Sequence, residues 1–151
     1  MIDRFEKLTN GISQIYKSIQ KIKKEKMNAL GLKGTHVMCI YYLNSNPEGL
    51  TAADLCHLCQ EDKAAVSRIL SDLEANGFIC YDRPQDGKKY RAKAFLTEKG
   101  RNSASKIYEQ IIHAVSDASK DISDNEREIF YRVLFLIADN LNQICEKQIT
   151  K

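Results

Sequence analysis

Two helix-start patterns in close succession constrain the fold of this chain more than any other feature. Thr51-Ala-Ala-Asp54 has a threonine followed three places later by an acidic residue, which predicts a capped short helix to about Cys59. Asp62 can cap a second helix that ends at Asn76-Gly77, because glycine tolerates the left-handed conformation beyond a helix C-terminus. One buried face of this second helix is predicted by the spacing of Val66, Ile69, Leu70 and Leu73. The sequence therefore predicts a helix-turn-helix.

A β-hairpin is predicted immediately after the second of these helices. Residues 78–81 and 90–96 are two β-prone runs, and the Asp86-Gly87 pair between them favours a hairpin. Thr97 then caps a further helix to about Ala118. A helix-turn-helix followed by a two-stranded basic hairpin, or wing, is a winged helix, in which the second helix enters the major groove of DNA.

The flanking segments predict long helices with narrow apolar faces. Near the N-terminus the apolar residues recur three or four positions apart: Phe5, Leu8, Ile12, Ile15, Ile19 and Ile22. Another helix is predicted from about Gly34 to Leu43, before a strong turn pattern at residues 44–49. Ser123-Asp-Asn-Glu126 is a capping box for a last helix, whose apolar side holds Phe130, Val133, Leu134, Ile137, Leu141 and Ile144. So narrow an apolar seam requires a partner helix, from the same chain or from another copy.

The predicted architecture is mainly α with a small β-hairpin wing, in the order α-α-α-α-β-β-α-α. We expect one domain over residues 1–151, because a chain of 151 residues with 43% hydrophobic and 28% charged residues can build one core. The winged helix-turn-helix core is expected at about 34–100. Dimerisation helices are expected at about 2–30 and 98–148.

The basic side chains are clustered, although the net charge is only +3. Residues 1–33 carry eight basic and three acidic side chains, and residues 82–103 carry seven and three. Clustering of this kind bears on the choice of partner more than the net charge does.

The cysteines and the N-terminus indicate a cytoplasmic protein. Five cysteines are an odd number and suit a reducing compartment better than a disulfide framework. We expect neither a signal peptide nor a membrane span, because the first ten residues have no apolar segment or cleavage site and the longest apolar run, Val37 to Leu43, is short. Because the sequence has no glycine-rich phosphate loop, nucleophile elbow or metalloprotease pair, we expect neither enzyme activity nor a cofactor.

The outer face of the second helix carries small or hydrogen-bonding residues: Lys63, Ala64, Ser67, Arg68 and Ser71. Small side chains let a helix enter the major groove, where serine and arginine can reach base edges or phosphates. The hairpin adds five cations that can neutralise phosphates: Arg83, Lys88, Lys89, Arg91 and Lys93. A solvated helix face and a soluble turn are the alternatives. The two features in this order favour binding to double-stranded DNA.

Residues 49–100 closely resemble the core of the MarR (multiple antibiotic resistance regulator) family. The most specific motifs are Asp62-Lys-Ala-Ala-Val-Ser-Arg68, Leu73-Glu-Ala-Asn-Gly77 and Leu96-Thr-Glu-Lys-Gly100. The long first helix and the two C-terminal helices extend the resemblance over nearly the whole chain. It implies a ligand-responsive repressor, a homodimer that is clamped together by its first and last helices and binds a palindromic operator.

The wing departs from the family pattern. Many members carry Asp-x-Arg or Asp-Arg-Arg shortly before the Leu-Thr, whereas this chain has Asp86-Gly-Lys-Lys-Tyr-Arg91. Lysine cannot make the planar, two-pronged contact of arginine. We therefore expect Lys88 and Lys89 to act on phosphates or in a narrow groove, and Arg91 to be the anchoring residue.

The resemblance also implies an effector pocket between the dimer clamp and the DNA-binding lobe. The helices that border it carry aromatic and histidine side chains that could bind a phenolic or carboxylate ligand: Tyr16, His36, Tyr41, Tyr42, Tyr108 and His113. In the alternative interpretation, His36 holds in place the start of the helix predicted from about Gly34 to Leu43, and the tyrosines pack the hinge.

The cysteines leave a further alternative open. Cys56 and Cys59 are spaced to face one way on a helix, but a zinc site needs three or four ligands, so packing as small apolar residues is favoured and no metal is expected. Cys39 is the other candidate for a reactive thiol. The alternatives to the DNA-binding function are a thiol- or metal-responsive sensor that uses Cys56/Cys59 or Cys39, and a winged-helix protein-interaction module without DNA binding.

Overall fold

The order of helices and strands in the structure, a computed structural model that describes residues 1–82 and 92–149, agrees with the sequence prediction. The elements are α1 (Ile2–Asn28), α2 (His36–Ser45), α3 (Ala52–Cys59), α4 (Lys63–Ala75), β1 (Ile79–Asp82), β2 (Lys93–Leu96), α5 (Glu98–Ala118) and α6 (Asp124–Ile149). The predicted fold class, mainly helical with an antiparallel hairpin, is confirmed. The chain forms two compact units, Met1–Ile111 and Ile112–Lys151, and their boundary lies within α5.

Helix starts follow from local capping. Thr51 Oγ1 accepts a hydrogen bond from Asp54 N at 3.2 Å, and Asp54 Oδ2 accepts one from Thr51 N at 2.9 Å, so the capping box at α3 is confirmed. At α4, Asp62 Oδ1 accepts from a first-turn backbone N–H at 2.7 Å. The same reciprocal pair begins α6, where Ser123 Oγ accepts from Glu126 N at 3.3 Å and Glu126 Oε2 from Ser123 N at 2.9 Å. These short-range contacts explain why the starts were predictable.

Both ends of α2 lie two residues beyond the predicted ones. Its start is delayed because Lys33 C=O accepts a turn hydrogen bond from His36 N–H at 3.0 Å, which places the preceding residues in a turn. Its end is extended because Asn46 Nδ2 donates to the Tyr42 carbonyl at 2.8 Å and satisfies a carbonyl of the last turn.

The core of the first unit lies among α2, α3, α4 and the hairpin. The predicted buried stripe of α4 is confirmed, because Val66, Ile69, Leu70 and Leu73 all belong to this core. The largest fully buried side chains are Ile40, Leu55, Leu73, Ile107, Val66 and Cys39. One face of α4 is thereby fixed to the protein, which leaves the opposite face outside.

The hairpin is joined to the segment that precedes α3. β1 and β2 pair antiparallel, with Ile79 opposite Leu96 and Asp82 opposite Lys93. Ala94 also exchanges two backbone hydrogen bonds with Leu50, at 2.8 and 3.2 Å. Gly49 precedes this bridge with φ +78°, and an added Cβ there would stand 2.6 Å from the Phe95 ring. The sequence did not indicate the bridge, because a single residue pair has no periodicity.

The long helices keep their apolar faces exposed. The six predicted stripe residues of α1 are all exposed, from 39% for Leu8 to 71% for Phe5, and only Met27 of this helix is buried. In the second unit, α6 has exposed apolar residues at Phe130, Leu141 and Ile144. Among residues 1–82 and 92–149 there is no helix with both the length and the apolar character that a membrane span requires.

Candidate nucleic-acid interface

The five residues of α4 that were predicted to contact DNA lie on one exposed face. They are Lys63, Ala64, Ser67, Arg68 and Ser71, opposite the buried stripe. None of the four polar side chains in this set makes a hydrogen bond or ion pair with any other residue in the described part of the chain. The face thus offers two cations, two hydroxyl groups and one small side chain for contacts outside the chain.

An ionic cluster connects the C-terminal half of α4 to the start of α2. Asp72 forms a hydrogen-bonded ion pair with Lys33, and its Oδ2 lies 3.7 Å from His36 Nε2. The hydrogen bond from Lys33 lowers the pKa of the Asp72 carboxyl, so this group stays ionised. Asp72 therefore orients α4 against α2 from the side of the helix.

His36 occupies a buried position in this cluster. Its Nδ1 accepts a hydrogen bond from Lys33 N at 3.2 Å, which leaves the proton of the neutral ring on Nε2, the atom nearer Asp72. Burial lowers the pKa of the imidazole, although the Asp72 carboxylate acts in the opposite direction. Nε2 has no hydrogen-bond partner among the described residues.

A dense set of hydrogen bonds connects the C-terminal end of α4 to the start of α5. Thr97 Oγ1 donates to the Gly77 carbonyl at 2.7 Å and accepts from Gly100 N at 3.1 Å. Lys99 Nζ donates to the Asn76 carbonyl at 2.8 Å and lies 4.3 Å from the centre of the Phe78 ring. The side chains of Thr97 and Lys99 thus fix the start of α5 to the end of α4.

The wing itself is described only at its base. Lys93, the first residue of β2, is exposed and its Nζ donates to the Glu48 carbonyl at 3.3 Å. The predicted contact residues Arg83, Lys88, Lys89 and Arg91 lie outside the described residues.

A cavity of about 250 Å³ lies between α2 and α5 within the first unit. Its lining consists of Ile40, Tyr41, Asn44, Ser45, Ala104, Ile107 and Tyr108. Of the predicted effector residues, Tyr41 and Tyr108 line this cavity, whereas Tyr16 is exposed on α1 and His36 belongs to the ionic cluster. His113 lies in the second unit.

Cys56 and Cys59 are both half-buried and pack against the core, in agreement with the favoured interpretation as small apolar residues. Cys59 Sγ also lies 3.7 Å from Cys39 Sγ. Within residues 1–82 and 92–149 there is no group of three or more His, Cys, Asp or Glu side chains that could hold a metal ion. Sequence reasoning missed this pairing, because Cys39 and Cys59 belong to different helices and meet only through packing.

Known proteins resemble this chain both in sequence and in fold. Residues 30–89, which include α2, α3, α4 and β1, match a sequence model of the MarR family. The resemblance to the MarR family is confirmed. No curated protein sequence matches the chain.

Solved structures share the MarR-type fold. SlyA, a transcriptional regulator, superposes with a TM-score of 0.79 at 22% identity, covering 90% of this chain and 94% of its own. S. aureus MepR in a DNA complex superposes with a TM-score of 0.78 at 18% identity, covering 86% of this chain and 93% of its own. A Listeria monocytogenes protein complexed with 26mer DNA superposes with a TM-score of 0.75 at 23% identity, covering 88% of this chain and 87% of its own. At these identities the likeness shows that the fold is shared.

Proposed function

We propose that this chain is a transcriptional regulator that binds double-stranded DNA, and that it acts as a ligand-responsive homodimeric repressor on a palindromic operator. The observation that carries the proposal is the exposed face of α4, whose polar side chains have no partner within the described residues. The two DNA complexes among the structures of the same fold support it.

The chemistry of the α4 face suits the major groove. Arg68 has the two-pronged guanidinium that can bind the edge of a guanine, and Ser67 and Ser71 can bond to base edges or phosphates. Lys63 lies in the first turn, where the helix dipole and the free backbone N–H groups favour a phosphate. Ala64 lets the helix approach the bases closely.

The wing supplies affinity that does not depend on sequence. Lys88 and Lys89 neutralise phosphates, and Arg91 and Arg83 anchor the hairpin on the backbone or in the minor groove.

The exposed apolar stripes supply the dimer. The α1 stripe and the apolar side of α6 expose large apolar side chains in rows, and a second copy of the chain would cover them. A two-fold dimer places two α4 helices on half-sites separated by about one helical turn, roughly 34 Å, which a palindromic operator provides.

The decisive experiment is a mobility-shift titration of DNA from upstream of the protein's own coding region, against shuffled DNA of equal length. Arg68→Ala should weaken specific binding by about 1–3 kcal/mol, roughly 5- to 150-fold, and reduce the preference for the operator. Lys106→Ala, at an exposed position of α5, removes the same charge and should bind as the wild type does. Unchanged affinity and specificity of Arg68→Ala would refute the assignment of α4.

A separate titration tests the wing. Lys88→Ala should weaken binding to operator and shuffled DNA alike, and should lower the slope of log K against log salt by about one. A loss confined to the operator would contradict the proposed role.

The cavity between α2 and α5 is the proposed effector site. Tyr41, Tyr108 and Asn44 give it two phenol groups and one amide, and about 250 Å³ suits a ligand of one ring. Salicylate-like acids should raise the melting temperature and release DNA. No response to a broad panel of such ligands would exclude this part of the proposal.

The alternative is a protein-interaction module on the same scaffold. It predicts no mobility shift with either DNA at low salt, and the same titration therefore distinguishes the two functions.

A further inference from the structure

Two thiols lie close together at the base of the helix-turn-helix. Cys39 is in the middle of α2 and completely buried, and Cys59, the last residue of α3, is half-buried. Their sulfur atoms are 3.7 Å apart and form a sulfur hydrogen bond. A disulfide bond requires about 2.05 Å, so the two sulfurs need to approach by roughly 1.7 Å.

The two thiols differ in reactivity. The hydrogen bond with Cys39 lowers the pKa of the Cys59 thiol, and Lys23 contributes a little in the same direction, whereas burial and Glu61 act in the opposite direction. The same hydrogen bond, together with burial, raises the pKa of the Cys39 thiol. Cys59 is therefore the thiol that ionises first, and it is also the more accessible one.

We propose that Cys39 and Cys59 form a reversible disulfide when the protein meets a hydroperoxide. The Cys59 thiolate attacks one peroxide oxygen, the O–O bond breaks, and the products are a Cys59 sulfenic acid and an alkoxide that takes a proton from water. The Cys39 thiol then attacks the Cys59 sulfur. The S–S bond forms, the S–O bond breaks, and the hydroxide leaves with the Cys39 proton as water. The two thiols lose two electrons, and the peroxide becomes an alcohol and water.

Cys59 lies next to the short connection between α3 and α4, so formation of the disulfide would affect the start of α4. Gln60 follows Cys59 in the left-handed conformation (φ 53°, ψ 42°), and Asp62 caps α4 two residues later. Movement of Cys59 toward α2 would displace this short connection and with it the end of α4 that carries Lys63 and Ala64. This consequence rests on the proposed DNA-binding function, whereas the disulfide does not.

Mass spectrometry of the purified full chain tests the chemistry. After treatment with hydrogen peroxide and alkylation, the wild type should keep three of its five thiols and yield one peptide pair that joins Cys39 to Cys59. Cys56→Ala, the matched control in the same helix, should lose the same two thiols. Cys39→Ala should leave a Cys59 sulfenic acid that dimedone traps, and Cys59→Ser should leave position 39 reduced.

A chain that keeps all five thiols, or that oxidises first at Cys80 or Cys145, would overturn the proposal. Cys59→Ser covers the case in which Cys39→Ala does not fold, because the serine replaces a half-buried side chain.

A mobility shift on the same samples separates the two proposals. Oxidation should weaken operator binding by about 5- to 150-fold, and dithiothreitol should restore it in the wild type and in Cys56→Ala but have no effect in Cys59→Ser. A Cys39–Cys59 disulfide in a chain whose reduced form binds no DNA supports the thiol site and overturns the proposed function. A disulfide that leaves operator binding unchanged supports the Cys39–Cys59 bond but overturns the inferred displacement of α4.

Discussion

Replacement of Gly100 by alanine would test the junction between α4 and α5. Gly100 is buried in the first turn of α5, and an added Cβ would lie 2.1 Å from the Phe78 carbonyl oxygen and 3.2 Å from Leu96 Cβ. The Phe78 carbonyl cannot easily move, because it accepts a hydrogen bond from Thr97 N at 3.0 Å. The methyl group would therefore have to push α5 away from the end of α4.

Two effects of opposite sign determine how much Gly100→Ala changes the free energy of unfolding. Alanine in place of glycine stabilises a helix interior by about 0.5–1 kcal/mol. Overpacking a tight site costs about 1–3 kcal/mol and occasionally more. Because the obstacle at Gly100 is backbone and not the end of a flexible side chain, we expect the upper part of that range and a net loss of about 2 kcal/mol.

Thermal and urea denaturation at one fixed protein concentration would measure the loss. A decrease of about 2 kcal/mol corresponds to a fall in melting temperature of roughly 4–8 °C for a chain of this size. Gly11→Ala is the matched control, because Gly11 lies within α1 and an added Cβ would meet no atom within 4 Å. Equal or increased stability of Gly100→Ala would show that the packing argument is wrong.

Further predictions concern the buried histidine, a helix cap and the dimer. Because burial lowers the pKa of His36, the unfolded chain binds more protons than the folded one between the lowered folded-state pKa and about pH 6.5. Stability should therefore decrease as the pH is lowered through this window, by up to about 1.4 kcal/mol per pH unit. In urea titrations His36→Gln should lose this component, and equal slopes for both proteins would contradict the assignment. Thr51→Ala removes one half of a capping box and should lower the free energy of unfolding by about 1 kcal/mol, which an unchanged urea midpoint would disprove. Ile15→Glu on the exposed α1 stripe should shift the sedimentation of the proposed dimer to that of a monomer, whereas Lys17→Glu should not; dimers in both cases would exclude α1 from the interface.

Most of the fold could be predicted, because its determinants act over a few residues. The capping boxes at Thr51 and Ser123 set the starts of α3 and α6 through contacts three residues apart. The exposed face of α4 follows in the same way, since helical periodicity assigns Val66 and Leu70 to the core and leaves Arg68 outside.

The sequence by itself determined the type and order of the elements and the face of α4 that is exposed. Only the tertiary structure decided which distant residues meet. It brought Cys39 to Cys59 and Asp72 to Lys33, and it set the Phe78 carbonyl where a side chain at position 100 would stand. Capping and periodicity are properties of neighbouring residues, whereas these contacts depend on how packed helices align, and no local pattern carries that information.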